Sequence, residues 1–171
     1  MGANKACARN APIRPAGVGN KGDDMTDYKR MKEDGDRFGL HDARIIAIDY
    51  DYEREELRLT CQYGFIDIQA DEMVDGEVIL TGVSFEDSYI TLMEYKNVLA
   101  GNVGGFVGEK MTLATFFDAF DSKFKAMDIM STYHGYKNCF ITGFLSRGDE
   151  VLEIYMDLFY RGDFIYRVRE E

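Results

Sequence analysis

Length, composition and charge already exclude several classes of protein. The chain has 171 residues and a formal net charge of −11, with 46% hydrophobic and 30% charged residues, which is ordinary for one soluble folded domain. The excess of acid disfavours nucleic acid as a partner, because a phosphate backbone normally requires a stripe of lysine and arginine. It suits a basic protein partner instead, since complementary charge speeds encounter and suppresses wrong pairings.

The cysteine pattern and the apolar runs indicate the compartment. Cys7, Cys61 and Cys139 form no CxxC pair and no cysteine–histidine spacing of the zinc type, so no disulfide framework, metal or cofactor is expected. The N-terminus lacks the apolar region of a signal peptide, and no apolar run approaches the ~18 residues of a membrane span. We therefore expect a cytoplasmic protein that does not bind a membrane.

The first segment of the chain lacks the pattern of a folded element. Residues 1–24 contain both prolines and four glycines, and they show neither a helical nor a strand period. We predict that residues 1–36 form a disordered or poorly ordered tail and that residues 37–171 form a single domain.

Alternating apolar residues predict strands directly after the tail. A first hairpin is expected around the turn at residues 53–56, and two more strands are expected at residues 75–85 and 88–99. The inward-facing residues of the hairpin are predicted to be Ile46, Ile48 and Tyr50 in one strand and Leu57, Leu59 and Cys61 in the other.

A glycine-rich stretch at residues 100–110 follows, and it fits neither phosphate-binding template. The glycine spacing of G-x-G-x-x-G is absent, and Glu109 separates Gly108 from Lys110 where the Walker pattern requires adjacent glycine and lysine. We expect a flexible connection there. From Leu113 onward the apolar period becomes helical, with Thr112 as N-cap and a stripe that faces the sheet, formed by Phe116, Phe117, Phe120, Phe124 and Met127.

Four further strands are predicted as a meander at residues 126–136, 138–146, 150–160 and 163–170. The complete pattern predicts an α+β fold, with a mostly antiparallel sheet of about eight strands in meanders and one amphipathic helix packed on it. We expect the last strand to be a sheet edge, where pairing between two copies would give a homodimer.

The two histidines of the chain do not form a recognisable catalytic motif. His41 and Asp42 are adjacent, so on a strand their side chains would point to opposite faces, and no nucleophile motif accompanies them. No catalytic residue is predicted, and the chain is not expected to be an enzyme. Asp49, Asp51 and Glu53 are interpreted as a solvated strand end rather than a cation site, because Ca²⁺ requires six or more oxygens.

Tyrosines surround the second histidine in the stretch STYHGYKN. Tyrosines beside a histidine in a loop can line a small polar pocket, although ordinary packing at a sheet edge is the alternative. The candidate ligand-binding residues are His41, Tyr133, His134 and Tyr136.

Three segments of the chain resemble small uncharacterised bacterial proteins. They are LHDARI at residues 40–45, GEKMTL at residues 108–113 and GDFIY at residues 162–166. Some proteins of this kind are thought to be immunity factors encoded beside toxins. The resemblance spans about residues 40–170 and carries no catalytic motif.

Two functional hypotheses follow from the charge, the motifs and the resemblance. The first is a non-enzymatic binding protein, an immunity-like inhibitor of a basic protein partner. The second is a small-molecule or minor enzymatic pocket that uses His41, His134 and the nearby tyrosines. The position of the two imidazoles relative to a cavity discriminates between them.

Overall fold

A computed structural model describes residues 25–31, 36–96 and 104–169 of the chain. Within these ranges it has one helix, α1 (Leu113–Lys123), and thirteen strands. The strands are β1 (Met25–Lys29), β2 (Phe38–Gly39), β3 (Arg44–Asp51), β4 (Glu56–Cys61), β5 (Phe65–Asp67), β6 (Glu72–Val74), β7 (Gly76–Thr81), β8 (Tyr89–Lys96), β9 (Gly105–Thr112), β10 (Ala126–His134), β11 (Asn138–Arg147), β12 (Glu150–Phe159) and β13 (Phe164–Arg169).

Antiparallel pairing dominates the fold, which confirms the predicted α+β class. Ten strands form one sheet in the order β1-β13-β7-β4-β3-β10-β11-β12-β8-β9, and β2-β5-β6 form a second, small sheet. The prediction of about eight strands in the sheet is therefore wrong. The strands of the small sheet have only two or three residues, which is too short to show an alternating pattern.

The large sheet has two halves, β1-β13-β7-β4-β3 and β10-β11-β12-β8-β9, and a short seam between β3 and β10 joins them. β3 and β10 pair only through Ile45 with Met127 and Arg44 with Asp128. A guanidinium nitrogen of Arg44 donates to both carboxylate oxygens of Asp128, at 2.6 and 2.8 Å. Inward-facing side chains from both halves, the small sheet and α1 form one buried cluster, so the described residues share a single core.

The helix begins where the sequence predicts. The Thr112 hydroxyl accepts a hydrogen bond from the backbone N–H of Thr115 at 3.3 Å, and Phe116 and Phe120 are buried against the sheet. The helix ends at Lys123, because Phe124 is already extended. Met127, predicted as the end of the helical stripe, instead contributes to the core from β10.

The predicted first hairpin is present as β3 and β4, but the inward face of β3 differs from the prediction. A bulge between Ile45 and Ala47 shifts the register, so Ile45 is fully buried while Ile46 is 42% exposed. Ile48 faces the core as predicted. The strand predicted at residues 150–160 is present as β12, and every second side chain faces the core: Leu152, Ile154, Met156 and Leu158 are buried.

The last strand is not a sheet edge and does not complete the predicted four-stranded meander. β13 lies between β1 and β7, and Arg167 bonds both carboxylate oxygens of Asp27, at 2.7 and 2.8 Å. Among the described strands the edges of the large sheet are β1 and β9. The predicted tail is corrected for residues 25–29, which form β1, whereas residues 1–24 lie outside the described ranges.

The glycine-rich stretch is a strand over most of its length. Residues 105–110 belong to β9, which pairs with β8 along its full length, so the prediction of a flexible connection is wrong there. Residues 100–103 lie outside the described ranges. The longest stretch of helix among the described residues is α1, and no helix there is long and apolar enough to cross a membrane.

Candidate functional site

A cleft with a volume of about 350 Å³ opens where β10 separates from β3. One wall is formed by residues 130–134 of β10, and the opposite wall is formed by residues 38–41 together with Ile68. The turn at His41 holds the two walls together, because its Nδ1 lies 2.8 Å from the carbonyl oxygen of Met130. The cleft therefore results from the shortness of the seam.

Three of the four ligand-binding residues predicted from the sequence line this cleft. His41, Tyr133 and His134 belong to its walls, so both histidines border one cavity. Tyr136 is not among the described lining residues and is 79% exposed, beside Lys137, whose ammonium lies 5.8 Å from the Tyr136 ring centroid.

The His41–Asp42 pair differs from the prediction that the two side chains point apart. The residues lie in a turn rather than on a strand, and Asp42 has a φ of 66°. This conformation places the Asp42 carboxylate 3.4 Å from Nε2 of His41. Both side chains are largely exposed, at 64% and 75%, so the pair is a solvated surface contact.

His134 lies deeper in the cleft than His41. Its ring packs edge-on against Phe164 with centroids 4.8 Å apart. Burial, and after it the Arg30 guanidinium, lower the pKa of His134 to about 4, although the Asp36 carboxylate partly opposes them. The imidazole is therefore neutral at neutral pH. Its buried Nδ1 and the buried hydroxyl of Thr132 have no hydrogen-bond partner within the described residues.

The remaining surface of the cleft is apolar or charge-compensated. Aromatic and aliphatic walls are provided by Phe38, Leu40, Ile68 and Tyr166. The Asp36 carboxylate is neutralised by Arg30, whose Nε lies 2.6 Å from it. The two cysteines of the described chain, Cys61 and Cys139, are buried, and burial raises the pKa of each to about 12, so neither provides a thiolate at neutral pH.

A second feature, which the sequence did not reveal, is a group of aromatic rings surrounded by carboxylates. We name it the aromatic–acidic surface. Three segments that are distant in the chain form it: the end of β3 with the turn into β4, the connection between β7 and β8, and one face of α1. Its rings are Tyr50, Tyr52, Phe85 and Phe117, and its acids are Asp51, Glu53, Glu55, Glu86 and Asp87.

The rings of this surface contact one another in a chain. The centroid of Tyr50 lies 4.4 Å from Phe85 and 4.9 Å from Tyr52, and Phe85 lies 6.1 Å from Phe117. These are ordinary aromatic contacts. Tyr52 remains 70% exposed, so an incoming group has access to its ring.

Backbone and side-chain hydrogen bonds hold the acidic segments in place. Asp51 accepts from the backbone N–H groups of Glu53 and Arg54, at 2.9 and 3.1 Å, which fixes the turn. The backbone N–H of Gly82 donates to the carbonyl of Glu55 at 2.8 Å and thereby ties this turn to the β7–β8 connection.

Several carboxylates of the aromatic–acidic surface are exposed and lack a cationic partner. Across the described part of the chain, no ion pair involves Glu53, Glu55 or Glu86. Burial, and after it the charge of Glu55, raise the pKa of Tyr50. The surface is therefore suited to cations.

Each of the three segments carries a local sequence signal for this surface. In YDYE, SFED and FFD an aromatic residue stands directly beside acids, at residues 50–53, 84–87 and 116–118. The pattern is local in each segment, whereas the meeting of the segments depends on the tertiary fold. No group of histidine, cysteine, aspartate and glutamate within the described ranges is arranged to hold a metal ion.

Comparison with known proteins gives no further guide to these two sites. No family model, curated protein or solved structure matches the chain. Their interpretation therefore depends on their own geometry and charge.

Proposed function

We propose that this protein is a non-enzymatic binding protein that holds a basic segment of a partner protein on the aromatic–acidic surface. The observation that carries the proposal is the exposed ring of Tyr52 within a surface whose segments carry Glu53, Glu55 and Glu86, three carboxylates that form no ion pair within the described part of the chain. The overall charge of −11 supports it, because the same sign of charge would attract a basic partner from a distance.

The expected strength of each contact indicates the kind of segment. A lysine or arginine over an exposed aromatic ring contributes about 0.5–1 kcal/mol. Each exposed ion pair contributes about 0.2–1 kcal/mol. A single cation would therefore bind weakly, and a useful affinity requires several lysine or arginine residues that engage the rings and carboxylates together.

We propose that this binding inhibits the basic partner. The resemblance of the chain to small bacterial proteins, some of which are thought to be immunity factors, supports it. An acidic surface can act in this way by covering the basic residues that the partner needs for its own substrate.

The test measures binding of a short unstructured peptide of alternating lysine, arginine and glycine by isothermal titration calorimetry at low salt. Replacement of the ring by Tyr52→Ser should raise the Kd about two- to fivefold, which corresponds to the loss of one exposed cation–π contact. Tyr63→Ser is the matched control, because Tyr63 is also 70% exposed but lies outside the aromatic–acidic surface.

An equal effect of the two substitutions would contradict the proposal. It would show that the peptide responds to general surface properties and not to this group of rings. Undetectable binding of the peptide to the unmodified protein at low salt would contradict it as well.

A further inference from the structure

The cleft between β10 and residues 38–41 offers binding groups that the aromatic–acidic surface does not use. We propose that it is a site for an uncharged ligand with an apolar body and an amide edge, which pairs with the open backbone of β10 at Thr132 and His134. This site is separate from the surface proposed for the basic partner.

The open backbone follows from the alternation of hydrogen bonds in the β10–β11 hairpin. The N–H of Gly135 donates to the carbonyl of Asn138 at 3.0 Å, so these residues form a hydrogen-bonded pair. In an antiparallel ladder such pairs alternate with pairs that do not exchange hydrogen bonds. Thr132 pairs with Ile141, and His134 pairs with Cys139. Both positions therefore belong to pairs that do not exchange hydrogen bonds with β11.

The N–H and C=O groups of Thr132 and His134 therefore point away from β11, toward the seam. On that side β3 has already separated, and the last backbone contacts are those of Ile129 with Asp42 and Ala43. No described strand pairs with the seam side of residues 130–134. An amide edge presents an N–H donor beside a C=O acceptor. Backbone C=O and N–H groups two residues apart on one side of a strand can pair with both.

The walls of the cleft set the rest of the ligand chemistry. Phe38, Leu40, Ile68 and Tyr166 provide an apolar enclosure, and a volume of about 350 Å³ lies at the lower end of small-molecule sites. The Asp36 carboxylate is paired with Arg30, and the His134 imidazole is neutral at neutral pH. The exposed His41 ring already contacts the Met130 carbonyl oxygen and the Asp42 carboxylate, so the described buried lining offers no free charge to a charged ligand. Burial of an uncompensated charge is unfavourable, which favours an uncharged ligand.

Two sources share this chemistry, a heterocycle with a lactam edge and a blocked amino acid within a peptide. The test titrates uracil and N-acetyl-phenylalaninamide into the full-length protein, and follows the backbone amide shifts of Thr132 and His134 by NMR. At least one of the two probes should give saturable shifts at these amides, and the probe that binds identifies the source. The charged relatives N-acetyl-phenylalanine and phenylalaninamide should bind at least about tenfold more weakly than N-acetyl-phenylalaninamide.

Two substitutions connect the binding to the structure. Thr132→Pro removes the N–H that points to the seam together with the buried Thr132 hydroxyl, and should weaken binding about tenfold without removing a hydrogen bond of the β10–β11 ladder. Ile68→Ser removes part of the apolar wall and should also weaken binding. Met73→Ser is its matched control, because Ile68 is 51% and Met73 49% exposed, and Met73 does not line the cleft.

Three results would overturn the proposal. They are the absence of saturable shifts with either uncharged probe, equal binding of the charged relatives, and equal effects of Ile68→Ser and Met73→Ser. If Thr132→Pro does not fold, the comparison of Ile68→Ser with Met73→Ser decides alone. None of these results depends on the basic peptide, so failure of this proposal leaves the proposed function standing.

Discussion

Acid should destabilise the folded protein through His134. In the unfolded chain this imidazole binds a proton with an ordinary pKa of about 6.5, whereas burial and Arg30 lower its pKa in the folded chain to about 4. Between these values the unfolded state binds more protons, so the stability contributed by the neutral ring is complete above pH ~6.5 and is lost as the pH falls toward 4. Solvent screens the half-buried ring, so we expect a loss of only about 1 kcal/mol between pH 7 and pH 5.

Urea unfolding followed by circular dichroism at several pH values measures this loss. His134→Gln should remove most of the difference between pH 7 and pH 5, because glutamine does not titrate. His41→Gln is the matched control and should keep the difference, since the His41 side chain is 64% exposed. If the His134→Gln protein loses as much stability as the unmodified protein over this pH range, the assignment to His134 is refuted.

Four further substitutions test the described packing by urea unfolding. Gly143→Ala should cost about 1–3 kcal/mol, because its Cβ would lie 2.2 Å from the carbonyl oxygen of Asp128, whereas Gly105→Ala, with no atom within 4 Å of the new Cβ, should change stability by less than about 0.5 kcal/mol. Thr112→Ala should cost about 1 kcal/mol through loss of the helix N-cap. Tyr28→Ala should cost about 1 kcal/mol if β1 belongs to the domain, and an unchanged midpoint would show that it does not.

The parts of the fold that the sequence predicts are those governed by local periodicity. α1 has both a helical apolar stripe and a hydroxyl residue at its N-cap, and the strands β11 and β12 alternate cleanly between core and solvent. These signals lie within a few consecutive residues. They therefore do not depend on which strands become neighbours in the sheet.

The errors arise where pairing across the chain decides the structure. Three of the five residues of β1 are exposed, and the strand is held by its pairing with β13, so its sequence does not differ visibly from a tail. β9 is rich in glycine and almost wholly exposed, yet its backbone pairs with β8 along eight residues. The bulge in β3 turns Ile46 outward although its apolar side chain suggests the core.

The candidate sites were predictable to different degrees. The sequence could indicate His41, Tyr133 and His134 as pocket residues from their chemistry, and the structure places all three on one cleft. The sequence could indicate each aromatic–acidic segment but not the surface that they form together, because Tyr50 and Phe85 meet only after β3 and β7 have taken their places in the sheet.

The most direct test of the central claim compares two charge-matched double variants in binding the lysine- and arginine-containing peptide. Glu53→Gln/Glu86→Gln removes two unpaired carboxylates from the aromatic–acidic surface, and Glu72→Gln/Asp149→Asn removes two exposed carboxylates elsewhere. The first variant should raise the Kd about three- to tenfold at low salt, and the effect should fade near ~1 M salt, where the Debye length is about 3 Å. The second should change the Kd by less than about twofold. Equal losses of affinity in the two variants would contradict the claim, because they would show that the peptide responds to net charge and not to this surface.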